Sequence, residues 1–444
     1  MPSRLLERFI VLATLLASSL GSLPTAVRAQ ANEQFIPLLV HRTGPYAPGG
    51  TPWANGKQDY IKLINAQGGI NGVRMAYEEC ETGYATDKGV ACYERLKGKG
   101  ASLFDPQSTG LALALTDLAR SDGIALLTLG YGPAASQDGG VFKWSFPLMG
   151  SYWTAADILV QAIAKREGGP ERLRGRKITL LYHDSPFGKE PIALLQARAR
   201  MLGFTLALIP VPAPGTEQKT AWQQVRQSRP DYVLLWGWGG MNPAALKEAQ
   251  AVGFARERMY GVWWAGTEPD VRGAGDGAKG YHALALNGAG LQVKVVQDIL
   301  RVVHDQGLGT GPRAEVGSVL YLRGVVIQML TVEAIRRAQE HFGKGQVMTS
   351  AQVRWGLENL NLDQKRLDAL GFGGVMRPIA TSCHDHMGSS WARIQTWDGR
   401  KWVMGGDWYQ ADERVLAPLV KEAADRYASE KKITRPTAAD CPAG

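Results

Sequence analysis

The chain has 444 residues, of which 45% are apolar and four are cysteine. That length allows two or three domains with their own cores, and the composition excludes a disordered or fibrous protein. The formal charge of +9 falls to about +7 when residues 1–29 are set aside, and its basic residues form no run, which favours anionic solutes over nucleic acid as partners.

Residues 1–29 carry Arg4 and Arg8, an apolar run from Phe9 to Leu20, and Val27-Arg28-Ala29 before Gln30. This is the pattern of a secretory signal peptide cut near Ala29. The apolar run is short for a membrane span, and no later run approaches about 20 apolar residues. The mature chain is therefore expected to be exported, soluble and without a lipid anchor.

A strand over 35–40 leads into HRTGPYAPGGTPWANG (41–56), whose glycines and prolines predict a loop that lets backbone approach a ligand. A helix over 53–66 ends at the glycine stop in GGINGV, and a strand over 74–79 follows. Residues 92–97 lie in the next helix. Short connections between alternating strands and helices predict a parallel sheet.

The chain is organised around residues 102–132, SLFDPQSTGLALALTDLARSDGIALLTLGYG. Leu111, Leu115 and Leu118 have helical spacing, and Ser108 and Thr109 stand at the helix start. Free backbone N–H groups and the positive end of the helix dipole suit a small carboxylate there, with the two hydroxyls beside it. The following strand, 124–129, ends in Gly130-Tyr131-Gly132. In doubly wound sheets ligands bind at carboxyl ends of strands, although a plain capped helix explains the same pattern.

The pattern restarts after 142–147. Helices are predicted at 153–167, 191–202, 222–227 and 243–252, and strands at 177–182, 205–210, 231–236 and 259–264. HDSPFG, GWGGMN and AGTEPD are the exit loops. After 281–286 the chain turns helical over 293–303 and 316–342, as if returning to cover the first part. WDGRKW reads as a hairpin on Asp-Gly, and ADERVL opens a helix with a loose tail.

Four cysteines in an exported chain predict two disulfides, with three possible connectivities. Cys80 with Cys92 closes a short loop from a strand end to a helix, and Cys383 with Cys441 staples the tail to the body. Cys383-His384-Asp385-His386 packs four possible metal ligands together. Neighbours on an extended segment point to opposite faces and no second cluster completes a shell, so no metal is expected.

The order TGPYAPGG, INAQGGINGVRM, HDSPFGKE and GWGGMNPAALKEAQAVGF resembles the type I periplasmic substrate-binding proteins of ABC importers. The likeness is to the branched-chain amino-acid branch and its relatives that take aromatic acids, and NAQGGINGV is its most specific piece. The resemblance implies an α/β fold of two doubly wound lobes joined by three crossing strands and closing by hinge motion. Residues 30–146 with 287–365 would form the first lobe, 147–286 with 366–412 the second, and 413–444 a C-terminal helix and tail. Segments 142–147, 281–288 and 378–390 are the expected crossings.

Carried over from the family, the ligand set is Ser108, Thr109, Gly130, Tyr131 and Gly132 on the first lobe, with Phe187 and Trp238 on the second. Amino-acid-binding members place an acidic residue after the next strand to meet the ligand's ammonium. Here Trp264 falls at that place, and Glu268 is the nearest carboxylate. A desolvated ammonium left unpaired costs several kcal/mol, so a ligand without an α-amino group is expected, held by aromatic faces. Trp236 and Trp263 are weaker candidates that a core position explains as well. A quaternary amine would suit the same aromatics.

Arg42 is a possible second carboxylate clamp, or a solvated surface arginine, and Tyr46 lies in the same loop. His183 and Asp184 are successive residues leaving a strand, with no third member spaced to complete a triad, so no catalysis is read. GxSxG, HExxH and GK[ST] patterns are absent. The expected function is capture of an apolar or aromatic carboxylate for an ABC permease by a cofactor-free monomer. A hydrophobic amino acid with Glu268 on its ammonium, a sensory module of the same fold, and an enzyme are the alternatives.

Overall fold

The computed structural model describes residues 32–436; the signal-peptide segment with its cut near Ala29, and Cys441, lie outside them. The first strands are β1 (Glu33–Val40), β2 (Arg74–Glu81), β3 (Leu103–Phe104), β4 (Ala125–Leu129) and β5 (Ser145–Leu148). β1 pairs with β2, and β3, β4 and β5 pair in order, every pair parallel. Every residue of β4 is buried, as a strand covered on both faces by helices requires. Those helices are Thr109–Asp122 and Ser350–Glu358, while Ala47–Ala66 and Thr86–Lys97 pack on β1 and β2.

β6 (Lys177–His183), β7 (Thr205–Val211), β8 (Tyr232–Trp236), β9 (Met259–Gly261) and β10 (His282–Ala285) follow. After them come β11 (Asn361–Leu362), β12 (Ile379–Ala380), β13 (Trp391–Trp397) and β14 (Trp402–Gln410). The seven-stranded sheet has the order β14-β13-β10-β9-β8-β6-β7 and is antiparallel only where β13 pairs. β11 and β12 pair apart from it. The β13–β14 hairpin turns on Asp398, whose carboxylate accepts from Arg400 N (2.7 Å) and Lys401 N (2.8 Å). The result is a mixed α/β fold with a mostly parallel central sheet, as expected.

The Gly/Pro-rich segment is not a loop as predicted: the helix begins at Ala47. Proline in the first turn is tolerated because its missing N–H has no intrahelical acceptor anyway. The glycines serve close packing. A Cβ on Gly49 would lie 2.5 Å from the Trp238 ring, and one on Gly56 2.0 Å from Tyr321 O. The contact with the helix Val319–Phe342 is reciprocal, since a Cβ on Gly324 would lie 2.0 Å from Trp53 O.

The strand expected over 259–264 stops at Gly261. Val262 N still reaches Leu235 O (3.1 Å), but Ala265 N folds back onto Val262 O (2.7 Å). Trp263 and Trp264 therefore sit in a turn, and strand alternation does not decide where they point.

Cys80 and Cys92 are bonded as expected, with Cα atoms 5.8 Å apart, joining the end of β2 to the helix Thr86–Lys97. Cys383 is disulfide-bonded; its expected partner Cys441 is outside the described residues. Replacing Cys80 and Cys92 together by serine is expected to cost about 3 kcal/mol through the freed loop of the unfolded chain. A urea-unfolding midpoint equal to that of the native protein would refute this. Among the described residues no helix is long and apolar enough to cross a membrane.

Candidate functional site

A small cavity opens where β3 and β4 end facing the ends of β6, β8 and β9. This is the position that open α/β sheets reserve for ligands.

On the first side Ser108 is the N-cap of the helix Thr109–Asp122, its hydroxyl accepting from Leu111 N at 3.5 Å. Thr109 Oγ1 lies 3.4 Å from Gly132 N and 3.2 Å from Tyr152 OH. Gln107 precedes them with φ 56°, in the left-handed region. Its backbone N–H donates to Tyr131 OH (2.7 Å), and that hydroxyl donates to Asp105. Asp105 is held in turn by Lys57 Nζ at 2.9 Å, a buried ion pair beneath the wall. Burial first, and Asp105 second, push the Tyr131 hydroxyl pKa well up, so it stays protonated. The Gln107 side chain is buried, yet neither its Nε2 nor its Oε1 has a partner.

On the second side Phe187 follows β6 in the short helix Pro186–Lys189, Trp238 follows β8, and Trp264 occupies the turn after β9. Trp264 stacks on Trp53 at 5.1 Å between ring centres and meets Trp238 edge-on at 5.4 Å. Its indole N–H donates to Gly130 O (3.2 Å). The indole N–H groups of Trp53 and Trp238 are buried without partners. Tyr84 and Tyr152 complete the wall. Among the described residues no Asp, Glu, Lys, Arg or His lines this cavity.

Six of the predicted residues therefore share one wall: Ser108, Thr109, Tyr131, Phe187, Trp238 and Trp264. Gly130 and Gly132 stand behind it, Gly130 O accepting from both Trp263 (2.8 Å) and Trp264. Arg42 is directed elsewhere, its guanidinium on Glu79 (2.7 and 2.9 Å) and Asn55 (2.7 Å). Tyr46 OH meets His183 Nε2 at 2.9 Å beside Tyr84, outside the lining. Trp236 and Trp263 are fully buried, in keeping with a core position. Glu268 accepts from Val319 N at 3.2 Å and so caps the helix Val319–Phe342, where it does not face the cavity.

Sequence reasoning missed Trp53, Tyr84, Gln107 and Tyr152. Tyr84 follows the carboxyl end of β2, so the strand-end rule would have found it. Trp53 is brought in only by tertiary packing.

Residues 33–401 match the model of a family described as periplasmic binding protein. The chain belongs to the periplasmic binding protein family. This binding protein is 41% identical to a protein of the Pseudomonas fluorescens group described as an ABC transporter permease. That likeness covers 92% of this chain and 99% of the other, with a TM-score of 0.86. It shares its fold with a branched-chain amino acid ABC transporter protein from Thermus thermophilus with bound valine, at 22% identity, TM-score 0.73 and coverage of 87% and 99%. It shares it also with an ABC transporter solute binding protein from R. palustris in complex with benzoate, at 16% identity, TM-score 0.63 and coverage of 84% and 95%. No curated protein matches the chain.

Proposed function

We propose that this binding protein captures a small aromatic or apolar carboxylate without an α-amino group and hands it, chemically unchanged, to the permease of an ABC importer outside the cytoplasm. Two lobes, 30–146 with 287–365 and 147–286 with 366–412, would close on it by hinge motion. The observation that carries the reading is the cavity wall: aromatic faces, no carboxylate, and more unpartnered donors than acceptors. Gln107 Nε2, Trp53 Nε1 and Trp238 Nε1 call for acceptor oxygens, and the Ser108 and Thr109 hydroxyls stand beside them. An amino acid would bring an ammonium with no anion to meet it, which is unfavourable by several kcal/mol. The Glu268 alternative is weakened because that carboxylate is engaged at a helix start.

A thermal-shift screen of aromatic acids, aliphatic acids and branched-chain amino acids tests this. An aromatic acid present at one hundred times its Kd is expected to add about 2.7 kcal/mol of stability. Stabilisation by branched-chain amino acids alone would overturn the proposal. Gln107→Leu is expected to weaken the bound acid about tenfold while leaving the free protein as stable as before, because two orphaned polar atoms leave with the amide. Equal losses in affinity and stability would mean that Gln107 serves the fold instead.

A further inference from the structure

The cavity has no charged wall, yet a cation lies directly behind it. Arg323 is fully buried on the helix Val319–Phe342. Its Nε donates to Asn287 Oδ1 (3.0 Å) and its Nη1 to Trp263 O (3.1 Å), while Nη2 has no partner. The guanidinium carbon sits 4.4 Å from the centre of the Trp264 ring, the same ring that faces the cavity. Among the described residues no carboxylate comes within 4.0 Å of it.

The acids that act on it from neighbouring elements are Glu268 and Asp270, and the Tyr152 hydroxyl is the remaining titratable group. Both acids are engaged elsewhere, Glu268 on Val319 N and Asp270 on Thr267 and Asn242. Burial disfavours the charged form of each, most for Asp270, whose pKa is raised to about 7. Arg323 itself is lowered by burial to about 9 and so remains charged at neutral pH. A buried cation without a counter-ion is unfavourable, and an anion arriving in the cavity that Trp264 lines relieves it.

We infer that Arg323 is the specificity-determining residue of the site, a cation held behind Trp264 that favours anionic ligands over neutral or cationic ones of the same shape. The inference rests on the carboxylate reading above and explains how a wall without charge selects for charge. Trp264 lies between the two partners: the guanidinium is held on the indole by cation–π attraction, Trp53 stacks on the same indole, and the cation acts on a ligand in the cavity through space.

The test uses benzoate and its uncharged isostere benzamide, titrated calorimetrically into the mature protein. The native protein is expected to prefer benzoate by about tenfold or more, R323K to keep that preference, and R323Q to reduce it to within about threefold. N287D provides a second route that retains Arg323. It places a carboxylate at the Nε partner position, neutralises the cation in place, and is expected to erase the preference as R323Q does. A native protein that binds neither compound, or both equally, overturns the carboxylate reading and this inference with it. A native preference that survives in both R323Q and N287D overturns the inference alone; should R323Q not fold, N287D decides.

Discussion

Gly324→Ala is expected to destabilise the protein by about 3 kcal/mol and to abolish ligand capture, because the added methyl has nowhere to go. Its position is 2.0 Å from the Trp53 carbonyl oxygen, and the facing Gly56 is equally close to the Tyr321 carbonyl. Both obstacles are backbone, so no rotamer change relieves them. The helices Ala47–Ala66 and Val319–Phe342 must move apart, and they carry Trp53 and Arg323, one in the cavity wall and one behind it. A single methyl group thus reaches the site through two rigid elements. Urea unfolding followed by tryptophan fluorescence measures the first effect and calorimetric titration the second. An unchanged midpoint would mean that the helices have slack at this crossing.

Trp264→Glu is expected to reduce affinity for an aromatic acid more than 100-fold, roughly 3 kcal/mol, through loss of a central, fully desolvated aromatic face. The indole stacks on Trp53, meets Trp238 edge-on and donates to Gly130 O, so the variant also loosens the junction between the two sides of the cavity. From the sequence alone the same change should create an amino-acid site, by supplying the carboxylate that an ammonium requires. Arg323 alters that expectation, because it sits against the ring that is being replaced. The new carboxylate would pair with the guanidinium and leave nothing for the ligand. Binding of a branched-chain amino acid is therefore expected in the W264E R323M double variant and not in W264E alone. A double-mutant cycle on amino-acid affinity reads this coupling, and additive single effects would count against it.

The parts of the fold that were legible in the sequence are those fixed by local chemistry. Ser108 as N-cap, the leucine spacing after it, and the Asp-Gly hairpin at 398–399 depend on residues within one turn of each other. The helix start at Ala47 was not legible, since glycines needed for close packing against Trp238 and Tyr321 look the same as loop glycines. Arg42 has two readings in the sequence, a ligand clamp or a solvated surface arginine, and neither reveals its partner Glu79, which lies 37 positions away on β2. The strand expected through Trp264 ends at Gly261, and both the Trp263 and Trp264 indoles donate to one carbonyl, Gly130 O, a turn geometry that the sequence does not announce. Gln107, beside two residues that were singled out, carried no motif; only its burial and its empty hydrogen-bonding positions mark it.

The Cys80–Cys92 cross-link encloses Tyr84, a cavity residue held at φ 64° between β2 and the next helix. Hydrogen bonds from Thr82 to Val40 O and from Tyr84 N to Thr82 Oγ1 hold the same loop from within, and the disulfide fixes its two ends. The cross-link therefore serves the cavity wall as well as the fold, because the loop it closes is the one that carries Tyr84.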